Sequence, residues 1–158
     1  CFLNEQSQYD YIVKMFADGR WHAVRGDFKG KQTFSDIARL AKKFNLTTRV
    51  FYLSNVEDYL AYTDQFKANM TGVPTDETSI TLRTSVHKYK KQYVWAYIPQ
   101  LASEFKEWLA LPGVKVLKHI VGGGKFKRND LFHMKRKVDA KARRRFAKKA
   151  KRRKRGKK

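Results

Sequence analysis

Val50-Phe51-Tyr52-Leu53 is a continuous apolar run that stops at Ser54-Asn55, beyond which the apolar spacing turns helical. Four β-branched, aromatic and aliphatic residues are too few for a helix. Apolar on both faces, they read as a strand inside a covered parallel sheet. Upstream, Tyr9, Ile12, Val13 and Phe16 recur at helical spacing, and Gly19 sits where a left-handed cap ends a helix. Trp21 to Arg25 reads as a strand closing at Gly26-Asp27. Thr33 with Asp36 announces a second helix, with Phe34, Ile37, Ala38, Ala41 and Phe44 as its buried stripe and Asn45 at its end. After the central strand, Val56, Tyr59, Leu60, Phe66 and Met70 predict one helix stopped by Gly72 and Pro74. Ser79 to Thr84 alternates as a strand, and Tyr93 to Ile98 is another, apolar on both faces. The connection between them is too short for a crossover helix, so the two form an antiparallel hairpin. Phe105, Trp108 and Leu109 mark a short helix, and Val114 to Val121 a last edge strand. Strands alternating with helices of this length predict a three-layer α/β domain, mostly parallel and covered on both sides. In that setting Tyr52, Tyr59, Tyr93 and Trp95 read as core.

Chemistry in an open α/β sheet is expected beyond the carboxyl ends of the strands. Ser54, Asn55 and Glu57 stand there, as does Asp27, and Arg83 lies near the end of its strand. Two readings of these residues stay open. Asn55 and Asp58 approximate a capping box, and carboxylates in a first helical turn suit the helix dipole. Alternatively, Asp27, Asn55, Glu57 and Arg83 converge from adjacent strand ends on one pocket, unless Arg83 is the ion partner of Asp27 or Glu57.

Charge divides the chain. Of the 36 Lys+Arg and 14 Asp+Glu that give +22, 19 basic and 2 acidic residues fall between Lys125 and Lys158, so the tail carries about +17 and the body about +5. A domain with a basic arm is expected, with residues 1–121 as the domain and 122–158 as a Gly122-Gly123-Gly124 joint and polybasic arm. The partner of such an arm is nucleic acid or another polyanion. Val138, Ala142, Phe146 and Ala150 fall four apart among strong helix formers. Like-charge repulsion opposes that helix in water and a polyphosphate relieves it, so the arm is expected to be disordered or helical when bound. Its contacts would be Arg143, Arg144, Arg145, Lys148, Lys149, Lys151, Arg152, Arg153, Lys154 and Arg155, phosphate-directed and salt-dependent.

The single Cys1 excludes a disulfide framework, and the four histidines lack metal-ligand spacing. No apolar run reaches membrane-spanning length, and no nucleophile elbow is present. A chain starting at Cys reads as a fragment, or as a processed, acylated terminus. Without an apolar leader the expected location is cytoplasmic, or nuclear in a eukaryotic source.

The segments G-D-F-K-G at Gly26 to Gly30, F-Y-L-S-N-V-E-D-Y-L at Phe51 to Leu60, F-K-A-N-M at Phe66 to Met70 and S-I-T-L-R-T at Ser79 to Thr84 carry a resemblance. They resemble the C-terminal half of an uncharacterised bacterial family placed among class I S-adenosylmethionine-dependent methyltransferase-like folds, over roughly residues 20–101. The resemblance implies a Rossmann-like open sheet ending in an antiparallel pair, present here as its C-terminal part. It implies S-adenosylmethionine as cofactor, Asp27, Asn55 and Glu57 as catalytic residues, and Ser54 and Arg83 as substrate-binding ones. The glycine-rich cofactor loop and the acidic residue of the fold's first half are not in the sequence. Two expectations follow: a methyltransferase-type enzyme held on nucleic acid by its arm, or a non-catalytic DNA- or RNA-binding accessory protein.

Overall fold

A computed structural model describes residues 3–89, 92–121 and 137–155, without the side chains of 87–89, 92–94 and 153–155. Cys1 and the Gly122-Gly123-Gly124 joint lie outside the described residues, as do the side chains of Tyr93, Arg153, Lys154 and Arg155. Helix α1, Gln6–Ala17, ends as its sequence predicts: Gly19 takes φ +63°, and the Arg20 amide reaches back to the Met15 carbonyl at 2.9 Å. No residue of α1 is buried.

The strand expected at 21–25 does not form. Trp21 and Val24 are exposed and no strand among the described residues offers them a ladder, so alternation alone has nothing to pair with. Helix α2, Thr33–Lys43, begins at Gln32 without a side-chain cap, so the Thr33/Asp36 box is not made; Asp36 instead meets Arg39 at 3.3 Å. Its end is a Schellman turn with Asn45 at φ +50° and the Leu46 amide on the Ala41 carbonyl at 2.8 Å. Of the expected stripe Ala38 alone is fully buried, while Ile37 and Phe44 are exposed.

Strand β1, Val50–Ser54, leads into the single turn α3, Val56–Tyr59, and helix α4, Asp64–Gly72. The one helix expected over this stretch is therefore two. Thr63 causes the break: its hydroxyl accepts the Phe66 amide at 3.0 Å and caps α4, and Tyr62 in the gap is fully buried. Strands β2, Ile80–Tyr89, and β3, Gln92–Leu101, form the expected antiparallel hairpin, extended at both ends. Helix α5, Ala102–Ala110, buries Phe105, Trp108 and Leu109. The expected edge strand at 114–121 is instead a turn followed by helix α6, Leu117–Val121, where Leu117, Ile120 and Val121 share a helical face. Helix α7, Ala140–Arg155, completes the described chain.

The sheet has three strands in the order β1-β2-β3, the first pair parallel and the second antiparallel. The architecture is α/β, but the Rossmann-like, mostly parallel, three-layer sheet is not what forms. Among the described side chains exposure alternates along the strands except at Thr84, which is buried between Arg83 and Ser85. Leu53, Thr81, Arg83, Ser85, Ala96, Ile98 and Gln100 face inward and are buried, the apolar ones with Phe66, Met70, Phe105 and Trp108. The opposite face is left largely uncovered by the described residues. Across it lie the rows Val50–Ile80–Leu101, Tyr52–Leu82–Pro99, Thr84–Tyr97 and Val86–Trp95. Val50, Tyr52, Trp95 and Tyr97 are each at least half exposed, so Tyr52 and Trp95 are not core residues, nor is Tyr59 at 78%.

Candidate functional site

The polar turn after β1 is built on a bulge. The β1–β2 register slips between Tyr52 and Ser54, and Ser54 takes φ +49°, a left-handed conformation that costs a non-glycine residue of order 1 kcal/mol or more. That turn points the next residues back over the covered face. Asn55 caps α3 through its backbone, with the Asp58 amide on the Asn55 carbonyl at 3.0 Å and no side-chain cap bond. Asp58 instead accepts the Ser85 hydroxyl at 2.8 and 3.1 Å. The capping box is therefore absent, and its second residue ties α3 to β2.

Glu57 goes inward. Its side chain is 1% exposed and that of Arg83 0%. The Arg83 Nε–H donates to Glu57 Oε2, and the Tyr62 hydroxyl donates to Glu57 Oε1. Arg83 Nη1 donates to Gln100 Oε1 at 2.9 Å, and its guanidinium lies 4.7 Å from the Phe105 ring centroid. Burial, reinforced by the neighbouring Glu57 carboxylate, pushes the Tyr62 phenol well above its ordinary range, so it stays a hydrogen-bond donor. Arg83 Nη2 and Gln100 Nε2 are buried with no hydrogen-bond partner among the described residues.

Of the residues the sequence singles out, the structure thus joins Glu57 and Arg83, with Tyr62 and Gln100 as partners that spacing alone did not reveal. Asp27 is not with them. It is exposed, and its carboxylate accepts the Lys29 amide at 2.8 Å within its own turn. That turn is held to α4 by the Asn69 side-chain amide, which donates to the Phe28 and Gly30 carbonyls at 2.9 and 2.8 Å. Ser54 is exposed and Asn55 half-buried, with no side-chain link to the Glu57–Arg83 pair. A shallow cleft of about 410 Å³ between α2 and α4 is edged by Arg39 and Lys42.

The second assembly is α7. Asp139 starts it, its carboxylate accepting the Ala142 amide at 2.6 Å. Phe146 anchors it, fully buried, with its ring 6.0 Å from Trp108 in an edge-to-face arrangement and 5.3 Å from His119. Ala142 is buried on the same stripe. Gly113 makes the approach possible, since a Cβ there would lie 2.4 Å from the Phe146 carbonyl oxygen. Lys149 is half-buried with Nζ 2.7 Å from His119 Nε2, which turns it towards the body. Lys141, Arg143, Arg144, Arg145, Lys148, Lys151 and Arg152 remain exposed. An open cleft of about 580 Å³ runs along Lys141, Arg144, Arg145 and Lys148.

No helix among the described residues is long and apolar enough to cross a membrane. Among the same residues no group of three His, Cys, Asp or Glu side chains is placed to hold a metal ion. A search of curated proteins gave no match to the chain. A family match covers residues 1–146, from α1 to the Phe146 anchor, leaving the densest basic run beyond it. On that coverage the chain belongs to the family described as Domain of unknown function (DUF7790).

Proposed function

We propose that this chain is a non-catalytic nucleic-acid-binding accessory domain in which α7 is the contact element. The observation that carries the reading is the two-sided character of α7. Ala142 and Phe146 are buried, while Lys141, Arg144, Arg145, Lys148, Lys151 and Arg152 are exposed. At 100° per residue Lys141, Arg144, Lys148, Lys151 and Arg152 fall on the side away from Phe146, while Arg145 flanks it with its guanidinium 5.6 Å from the ring centroid, and at 1.5 Å per residue the six span about 16 Å. A fixed cationic ridge of this kind meets a phosphate backbone with less ordering cost than a free tail. Its exposed side chains are Lys, Arg and Ala, without an aromatic platform or an amide to read bases, so backbone contact dominates. The methyl-transfer expectation gains no support from Glu57, whose two oxygens are taken by Arg83 and Tyr62 beneath the sheet.

The test is the salt dependence of binding to a duplex oligonucleotide. Engagement of all six cations gives a slope of log K on log salt of about −5. Arg144→Ala with Lys148→Ala reduces its magnitude by about 2. Arg20→Ala with Arg25→Ala, an equal loss of charge elsewhere, leaves the slope within about half a unit of the parent's. Equal effects from both pairs would mean that +22 attracts the duplex indiscriminately and α7 has no special part.

A further inference from the structure

Two apolar surfaces are left without a partner among the described residues. One is the open face of the sheet, where Val50, Tyr52, Val86, Trp95, Tyr97 and Leu101 are between 40% and 55% exposed. The other is α1, which buries nothing although Tyr9, Ile12, Val13 and Phe16 form a continuous stripe. We infer that they cover each other between two copies of the chain: α1 of each copy lies across the open sheet face of the other, giving a two-fold, arm-exchanged dimer.

Size, charge and connection each favour this occupant. Three strands at about 4.8 Å spacing and four rows about 6.8 Å apart make a face roughly 12 by 25 Å, or on the order of 300 Å² in projection. A helix of 12 residues is about 18 Å long and fits along it. Two such contacts remove four faces from water, on the order of 1,200 Å² in all, the lower edge of stable interfaces. Glu5, Asp10 and Asp18 against Lys14 make the α1 segment acidic in a chain of +22. The hairpin strands and their connection, from Ile80 to Leu101, contain no acidic residue and include Lys88, Lys90 and Lys91. An acidic helix is therefore drawn to this sheet. The connection allows the exchange. Residues 18–27 lie between α1 and the Phe28–Gly30 turn that Asn69 pins to α4, enough chain at about 3.3 Å per residue to carry α1 about 30 Å to the other copy. A two-fold axis makes the exchange mutual.

Sedimentation equilibrium of the full chain in 0.5 M salt, where self-repulsion is screened, reads the mass. The wild type is expected to be a dimer at micromolar concentration. Phe16→Glu and Trp95→Glu, both at exposed positions, are each expected to weaken it by at least about 100-fold while far-UV circular dichroism is unchanged. Mixing the two variants is the decisive step. The intact helix of one meets the intact sheet of the other, so a heterodimer holding one of the two contacts returns. Val13→Glu mixed with Tyr97→Glu repeats the test should either first variant misfold. A monomeric wild type overturns the inference, whether hydrogen exchange shows α1 folded onto its own sheet or single-stranded oligonucleotide quenches Trp95. So does a dimer that neither substitution weakens, or a pair of variants that fails to complement.

Discussion

Gly113→Ala tests the docking of α7 with a single methyl group. The added Cβ would lie 2.4 Å from the Phe146 carbonyl oxygen, 3.0 Å from its carbonyl carbon and 3.1 Å from its Cα. Carbon and oxygen rest at about 3.3 Å or more, so the two backbones must part by about 1 Å. No rotamer offers an escape, because every close atom is main chain. Phe146 is fully buried between Trp108 and His119, and a gap of this size forfeits a quarter to a half of each contact. From the 3–5 kcal/mol that removing a buried Phe costs, the expected loss is about 1–2 kcal/mol. It approaches the full amount if the helix leaves altogether. Gly72→Ala is the control: at the end of α4 a Cβ meets nothing within 4 Å, so stability is expected to hold or rise by up to about 1 kcal/mol. Urea denaturation reads the difference, and hydrogen exchange of the amides from Arg143 to Ala150 locates it. A Gly113→Ala protein as stable as Gly72→Ala, with α7 amides protected as in the parent, refutes the packing described for Phe146.

Two further predictions concern the buried cluster. Glu57→Leu leaves the Arg83 charge unpaired in the interior and is expected to cost about 3–5 kcal/mol by urea denaturation. Glu57→Leu with Arg83→Met is expected to recover much of that; a double variant no better than the single one would show that the pair's cost lies in shape rather than charge. The Tyr62 phenol is held above its unfolded value, so the folded chain keeps a proton that the unfolded chain releases. The stability this gives is complete below about pH 10 and is lost as pH rises from there towards the folded value. Melting temperatures measured from pH 8 to 11 should therefore fall above about pH 10, and less steeply in Tyr62→Phe.

Local signals in this sequence read well where one residue decides the backbone. Gly19 and Asn45 end their helices in the left-handed conformation their positions imply, and Pro74 follows the end of α4. The short connection between the two apolar runs correctly required a hairpin. Signals that depend on what lies above a surface read poorly. Tyr93 to Ile98 was apolar on both faces and so implied cover on both faces, yet the described residues cover only the side of Ala96 and Ile98. The stripe of α2 was legible as a stripe, but whether a stripe is buried depends on a neighbour that periodicity cannot supply. Glu57 and Arg83 were legible as a candidate pair. Tyr62 and Gln100 were not, because Tyr62 enters the cluster only after Thr63 breaks the helix that would have turned it elsewhere.

The S-N-V-E turn and the basic arm look like separate features in the sequence, but one helix joins them. Arg83 stays in the interior because Glu57 neutralises it and Gln100 and Phe105 occupy its remaining sides. Phe105 belongs to α5, and three residues on, across the same helical face, Trp108 meets Phe146 of α7 with their rings nearly perpendicular. The strained Ser54, the inward carboxylate and the broken helix thus fix the position of α5, and α5 is the wall on which the cationic helix rests. A buried ion pair is weak evidence for stability and better evidence for a particular arrangement. Here the arrangement it selects puts Phe105 over the guanidinium and so turns Trp108 towards Phe146. In a chain of +22 this matters, because like charges along α7 oppose its helix and the burial of Phe146 is what offsets them.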